Sequence, residues 1–145
     1  MNGVIIVGGV IKENGKYLLV QEAHERCRGK WNLPAGHLDL GETVFDGAKR
    51  EVLEECGLKV ELTGIAHIGN RIMPQNEFIV IVFATKVVGG KVQFDSEEIM
   101  DAKWFTYSEI LNMQDKLRSS DWIMNAINAV EFNDIAKLDI IKQIK

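Results

Sequence analysis

A glycine, an acid and a crowded acidic segment stand at fixed spacing in this chain: Gly36, then Glu42, then the run Arg50-Glu51-Val52-Leu53-Glu54-Glu55-Cys56-Gly57-Leu58. At roughly 6% per residue type, such a set of fixed positions would arise by accident in fewer than about one chain in ten million. It constrains the fold because it demands a glycine loop that feeds a helix. Thr43 is the expected N-cap, Asp46 three residues on makes a partial capping box, and Gly57 supplies the stop.

At about 100° per residue, Glu51, Glu54 and Glu55 share one sector of that helix, while Phe45, Ala48 and Val52 form the adjoining apolar stripe. Three carboxylates so close repel one another unless something positive joins them. Arg50, four residues before Glu54, can pin that side chain but cannot neutralise the set. Hard divalent cations can, and oxygen-only ligands suit Mg²⁺ or Mn²⁺ rather than zinc. A metal so placed screens phosphate charge and acidifies a bound water, and a spare carboxylate can take that water's proton. The glycine loop lets backbone approach closely, so a main-chain carbonyl near Ala35 is a candidate for the metal shell. A solvated acidic face is the ordinary meaning of Glu51, Glu54 and Glu55 taken alone. The additional fixed positions turn the balance to water attack on a diphosphate.

Around this segment the pattern is α/β. Val4 to Lys12 reads as a strand, buried on both faces at Val4–Val7, and Asn14-Gly15 turns it into a partner strand from Lys16 to Ala23. Trp31 to Pro34 is a short extended segment. Strands are expected at Lys59–Ile65, at Phe78–Val88 in the sheet centre, at Lys91–Phe94 after a Gly89-Gly90 turn, and at Ala102–Phe105. Thr106-Tyr107-Ser108-Glu109 is a capping-box pattern, and a further helix starts near Ser120. The expected architecture is an α/β/α sandwich with a mixed sheet packed between helices, formed by residues 1–145 as one domain.

The 46% hydrophobic content allows a sizeable core. No apolar stretch approaches the ~20 residues that span a bilayer, and Met1-Asn2-Gly3 does not open a signal peptide. Two cysteines make no disulfide framework, which predicts a reducing cytoplasm. A net charge of −4 with scattered basic residues argues against a duplex nucleic-acid surface.

The segment Gly36–Leu58 resembles the Nudix box, the signature of hydrolases acting on a nucleoside diphosphate linked to another group. The resemblance implies that Glu51, Glu54 and Glu55 hold metals or act as base, that Arg50 orients the cluster, and that Glu42 supports the loop. The base is left open among the glutamates, with Glu51 preferred. A later glutamate often joins the metal site; Glu97 and Glu98 lie in that region, and Glu98 has the better spacing to Trp104. Gly47 stands where the family more often has alanine. Gln75 stands where dinucleoside polyphosphate members tend to carry tyrosine.

The run Trp31-Asn32-Leu33-Pro34-Ala35-Gly36 is similar to the branch containing the phosphatase of oxidised guanosine diphosphates. With Leu117-Arg118-Ser119 it also resembles a bacterial branch acting on nucleoside di- and triphosphates and a thiamin-precursor diphosphate. The expected activity is hydrolysis of a phosphoanhydride in a nucleoside diphosphate or related small diphosphate. Pyrophosphohydrolysis of nucleoside triphosphates or sugar nucleotides is the alternative, and a non-catalytic nucleotide sensor is the reading from another class.

Arg28 and Lys30 are candidates for substrate phosphates, against a plain solvated loop. Arg71, Gln75 and Asn76 are candidates to line a base pocket, against ordinary loop polarity. Trp31 reads as core. The three histidines, His24, His37 and His67, show no metal-ligand spacing. Ile135, Leu138, Ile140 and Ile141 give the tail an apolar surface for its own domain or for a second copy in a homodimer.

Overall fold

The computed structural model describes residues 2–74 and 76–144. Gln75, as a candidate pocket residue and as the counterpart of the family's tyrosine, lies outside the described residues.

Two sheets frame the molecule. The first has the order β5-β1-β7-β6, built from β1 (Asn2–Val10), β5 (Ala35–His37), β6 (Leu58–Ile72) and β7 (Asn76–Gly90). β1 runs parallel to β7 and antiparallel to β5, so the sheet is mixed. β7 occupies an interior position, as its long apolar run predicts. The second sheet joins β2 (Lys12–Glu13), β3 (Lys16–Glu22) and β4 (Trp31–Asn32), with β8 (Ile99–Thr106) on the other edge of β3. The β2–β3 hairpin turns on Asn14 and Gly15 at φ 52° and 77°, the positive values such a tight turn requires.

Helices cover opposite faces. α1 (Val44–Cys56) seats Ala48 and Val52 against Val7, Phe83, Leu18 and Val20. α2 (Tyr107–Leu111) opens on the full capping box of Thr106 and Glu109. α3 (Ser120–Glu131) buries Trp122, Ile123, Ala126 and Ile127 against Val80, Val82 and Leu33. Among the described residues no helix is long and apolar enough to cross a membrane.

Three expectations are corrected. Lys91–Phe94 forms no strand: Gly90 turns at φ 81° and the Gln93 N–H donates to the Cys56 carbonyl, so the segment closes the end of α1. Val4–Val7 is not buried on both faces, because Ile5 stays 38% exposed on the sheet face beyond α1. β6 runs seven residues past Ile65, since bulges at Thr63 and Ala66 let it follow the twist of β7 to Ile72. The tail docks on its own fold. Ala136 and Ile65 exchange both backbone hydrogen bonds at 2.9 Å, and Leu138 and Ile141 pack beside Phe45 and Leu62, while Ile140 remains exposed.

Candidate active site

α1 aims the acids because both its ends are fixed. The Thr43 hydroxyl accepts from the Asp46 N–H at 3.1 Å, and Gly57 closes the helix in the left-handed region. Glu51 lands against β5, where its carboxylate fills the space that a Cβ on Gly36 would need. That contact explains the glycine. Gly47 is explained in the same way, since a Cβ there would press on Leu38 and the Glu42 carboxylate. Alanine at that position would trade helix propensity for a disturbed Glu42.

Arg50 is the hub. Its Nε donates to Glu42 Oε2 at 2.6 Å and its Nη2 to Glu42 Oε1 at 2.9 Å. Nη1 reaches Glu51 Oε1 at 2.8 Å and Glu54 Oε2 at 3.1 Å, and Nη2 also donates to the His37 carbonyl at 3.0 Å. Glu42 in turn accepts from the Asp39 N–H, tying the glycine loop to the helix. The sequence pairs Arg50 with Glu54; the structure makes Glu42 the principal partner and adds Asp39 at 3.4 Å. The hydrogen bond from Arg50 holds the Glu42 carboxyl below the usual range. Glu51 behaves oppositely, because burial raises its pKa against the pull of Arg50.

Glu54 and Glu55 diverge although they are neighbours. The Glu54 side chain is 58% exposed, whereas that of Glu51 is 11%. Glu55 is half-buried and accepts from the Ala35 N–H at 2.9 Å. Burial pushes its carboxyl up to about 9, opposed by that N–H and reinforced by the charges of Glu22, Glu51 and Glu98. Four acids therefore share this end of the site. Arg50 spends its donors on Glu42, Glu51, Glu54 and His37, leaving none on Glu55.

Glu98 is exposed, and its carbonyl accepts from Ala23, bringing the β8 approach beside the end of β3. Glu97 is also exposed, with its N–H turned to Asp95. Glu22 has no counterpart among the residues the sequence singles out. Nothing local marks it; the register of β3 against β4 sets it beside Asn32, and its charge acts on Glu55.

The donor set is all oxygen and carries excess negative charge, which fits a hard divalent cation. It is not a ready-made cage: among the described residues no three acidic, histidine or cysteine side chains already converge as a metal shell. Ala35 meets the site through its N–H to Glu55.

Arg28 and Lys30 are tied to backbone, Arg28 to the Ala23 carbonyl at 3.0 Å and Lys30 to the Asp115 carbonyl at 2.8 Å. Arg71 lies elsewhere, on a cleft of about 360 Å³ between β6, β7 and the start of α3. Its guanidinium pairs with Asp121, and its centre lies 6.0 Å from the centre of the Phe78 ring. His67, Asn70, Trp122 and Asn125 complete the wall. Burial lowers the His67 pKa, against the pull of Asp121. Trp31 is core, edge-on to Phe105 at 5.0 Å.

A family model for the NUDIX domain matches residues 2–125. The chain belongs to the Nudix hydrolase family. The chain is 33% identical over 104 residues to an 8-oxo-dGDP phosphatase from Homo sapiens, covering 70% of this chain and 31% of that protein. It is 31% identical over 113 residues to an ADP-ribose pyrophosphatase from Methanocaldococcus jannaschii, covering 76% of this Nudix chain and 66% of the relative. A NUDIX hydrolase structure from Nitrosomonas europaea superposes with a TM-score of 0.88 at 29% identity, covering 99% of this chain and 98% of the other. The first curated relatives are longer; this chain spans 31% to 36% of their length.

Proposed function

We propose that this Nudix chain is a Mg²⁺- or Mn²⁺-dependent hydrolase that cleaves a phosphoanhydride in a nucleoside diphosphate or related small diphosphate. The observation that carries the reading is the imbalance at Glu55: a half-buried carboxyl beside Glu22, Glu51 and Glu98 with, among the described residues, only the Ala35 N–H as hydrogen-bond donor. Glu51, Glu54 and Glu55 would hold the cation, with Glu98 and the Ala35 backbone at the rim. When bound, the cation screens phosphate charge and acidifies the attacking water.

Arg50 keeps Glu51 and Glu54 in place through a planar fork that lysine does not reproduce. Glu51 is the preferred proton acceptor; it is the most buried carboxylate of the helix, and that burial raises its pKa above the ordinary carboxylate value. Arg71, with Asp121, Phe78 and Trp122, offers a cleft for the organic half of the substrate. Arg28 would need to leave the Ala23 carbonyl to meet a phosphate. The two free thiols suit a reducing cytoplasm.

Glu55→Gln should abolish turnover while leaving the fold intact. Near-normal activity in that variant would overturn the metal assignment. A panel of nucleoside di- and triphosphates, with oxidised guanine forms, scored with Mg²⁺ for orthophosphate or pyrophosphate, identifies the bond cleaved. Orthophosphate from diphosphates supports the diphosphatase reading. Pyrophosphate release from the triphosphates supports the second reading. No magnesium-dependent turnover on any compound would leave a nucleotide-binding sensor in its place.

A further inference from the structure

Basic residues that lie apart in the sequence gather in the fold. Arg26, Arg28 and Lys30 stand between β3 and β4, and Lys116 and Arg118 stand just before α3. The two segments touch: Lys30 Nζ donates to the Asp115 carbonyl at 2.8 Å, and the Arg118 N–H to the Trp31 carbonyl at 2.7 Å. All five cations are exposed. Among the described residues none of them pairs with a carboxylate, whereas Lys12, Arg50 and Arg71 all do. In a chain of net charge −4, this group of cations lacks its anion.

Its place follows from the backbone. Trp31 and Leu117 form a parallel bridge, and both are buried in the core. Side chains alternate along extended backbone, and Leu117 and Ser119 are extended. Lys30 and Arg118 therefore stand on the face opposite Trp31 and Leu117. Glu22 belongs to that face too, since Asn32, next after Trp31, donates to it at 3.0 Å. The Glu22 charge acts on Glu55. Trp31 is four residues from Ala35, so the carbonyl that anchors Arg118 lies within about 14 Å of the N–H that holds Glu55. Three residues beyond Arg118, α3 begins to supply Asp121 and Trp122 to the cleft that holds Arg71. The cations border the acids on one side and the cleft on the other.

We infer that Lys30, Lys116 and Arg118 form a second anion site, which takes a phosphate group of the substrate other than the diphosphate held over the acids. Arg26 and Arg28 add positive potential at its loop end. The inference rests on the diphosphate hydrolase function proposed for the acidic site. A cation on the acids serves the scissile diphosphate; any further phosphate brings charge of its own and needs a separate partner. Guanidinium and ammonium groups offer donors only, which match phosphate oxygens in charge and in hydrogen bonding. Two parts of a nucleotide carry such a group: a third phosphate on the 5′ chain, and a phosphate ester on the sugar.

Calorimetric binding in the presence of Ca²⁺ tests this, with ADP, ATP and adenosine 3′-phosphate 5′-diphosphate as probes on wild type and Lys116→Gln/Arg118→Gln. Wild type should bind at least one of the two phosphate-rich probes more tightly than ADP, and added salt should shrink that gain. The double variant should lose about tenfold more affinity for that probe than for ADP. Selective loss on ATP assigns the site to the 5′ chain, selective loss on the 3′-phosphorylated probe assigns it to the sugar, and loss on both shows that it takes either. An equal loss on all three probes, no loss on any, or a wild type that gains nothing from the extra phosphate would overturn the inference. Lys86→Gln makes the same kind of charge change at an exposed lysine of β7 outside the group. A matching selective loss in that variant would reduce the effect to net charge and overturn it as well. Arg118→Gln alone carries the test if the double variant fails to fold. A wild type that shows the gain but releases no phosphate under Mg²⁺ would sink the hydrolase reading while leaving the second site in place.

Discussion

Glu51 occupies the room that a side chain on Gly36 would take. The two residues lie on α1 and β5, so the glycine fixes how closely the acidic helix approaches the strand. Gly36→Ala should therefore move Glu51 before it disturbs the fold. Overpacking of this kind costs about 1–3 kcal/mol, and misplacing a catalytic group by about 1 Å costs about a hundredfold in rate. Thermal melts and kcat on the best substrate of the panel should show a modest stability loss and a much larger activity loss. Equal retention of both would mean that Glu51 has freedom to turn away.

Arg50 binds Glu42, Glu51 and Glu54 at once, and Glu51 is nearly inaccessible. Removing the guanidinium leaves Glu51 without its cation. Arg50→Met should cost about 3 kcal/mol, the order expected when one partner of a buried pair is lost. Arg50→Lys should recover part of the stability and little of the activity, because an ammonium does not span three carboxylates in one plane. Denaturant titration beside turnover separates the two effects.

Local signals made α1 legible. Thr43 and Gly57 act within one turn of the helix, so their roles follow from their own residue types. The choice between Glu51 and Glu54 for burial was not legible, since both lie in one helical sector and only the position of β5 distinguishes them. Glu22, Asn32 and Asp121 gain their roles from partners 10 to 50 residues away in sequence, through strand register and the approach of α3. Lys91–Phe94 looked like a strand by composition, yet no neighbouring strand pairs with it among the described residues; its hydrogen bond goes to the end of α1. Ile5 departs from the pattern because an apolar run predicts two buried faces, while α1 leaves part of this sheet face uncovered.

The tail should contribute stability without chemistry. Leu138 and Ile141 are half-buried against Phe45 and Leu62, far from the acids in the packing of α1. Leu138→Ala and Ile141→Ala should each cost about 1 kcal/mol, by loss of partly buried methyl and methylene groups. Their kcat values should match wild type at a temperature where both are folded. A selective loss of turnover would instead tie the tail to the site.

Glu55 sets a pH dependence whose sign is unusual for a carboxylate. Burial raises its folded pKa from 4.5 to about 9, so between these values the folded chain holds a proton that the unfolded chain has released. Stability from this group is complete below pH 4.5 and declines as pH rises toward about 9. In the presence of a chelator, the Tm of wild type should fall across that window, and Glu55→Gln should flatten the fall and exceed wild type at about pH 8. Mg²⁺ should reverse the order at that pH, since a cation beside Glu55 stabilises its charged form and gains less from the neutral amide. A melting series across the window, with chelator and with Mg²⁺, reads both arms. A pH dependence that Glu55→Gln leaves unchanged under chelation would show that Glu55 is charged without a cation, and the imbalance on which the metal assignment rests would be gone.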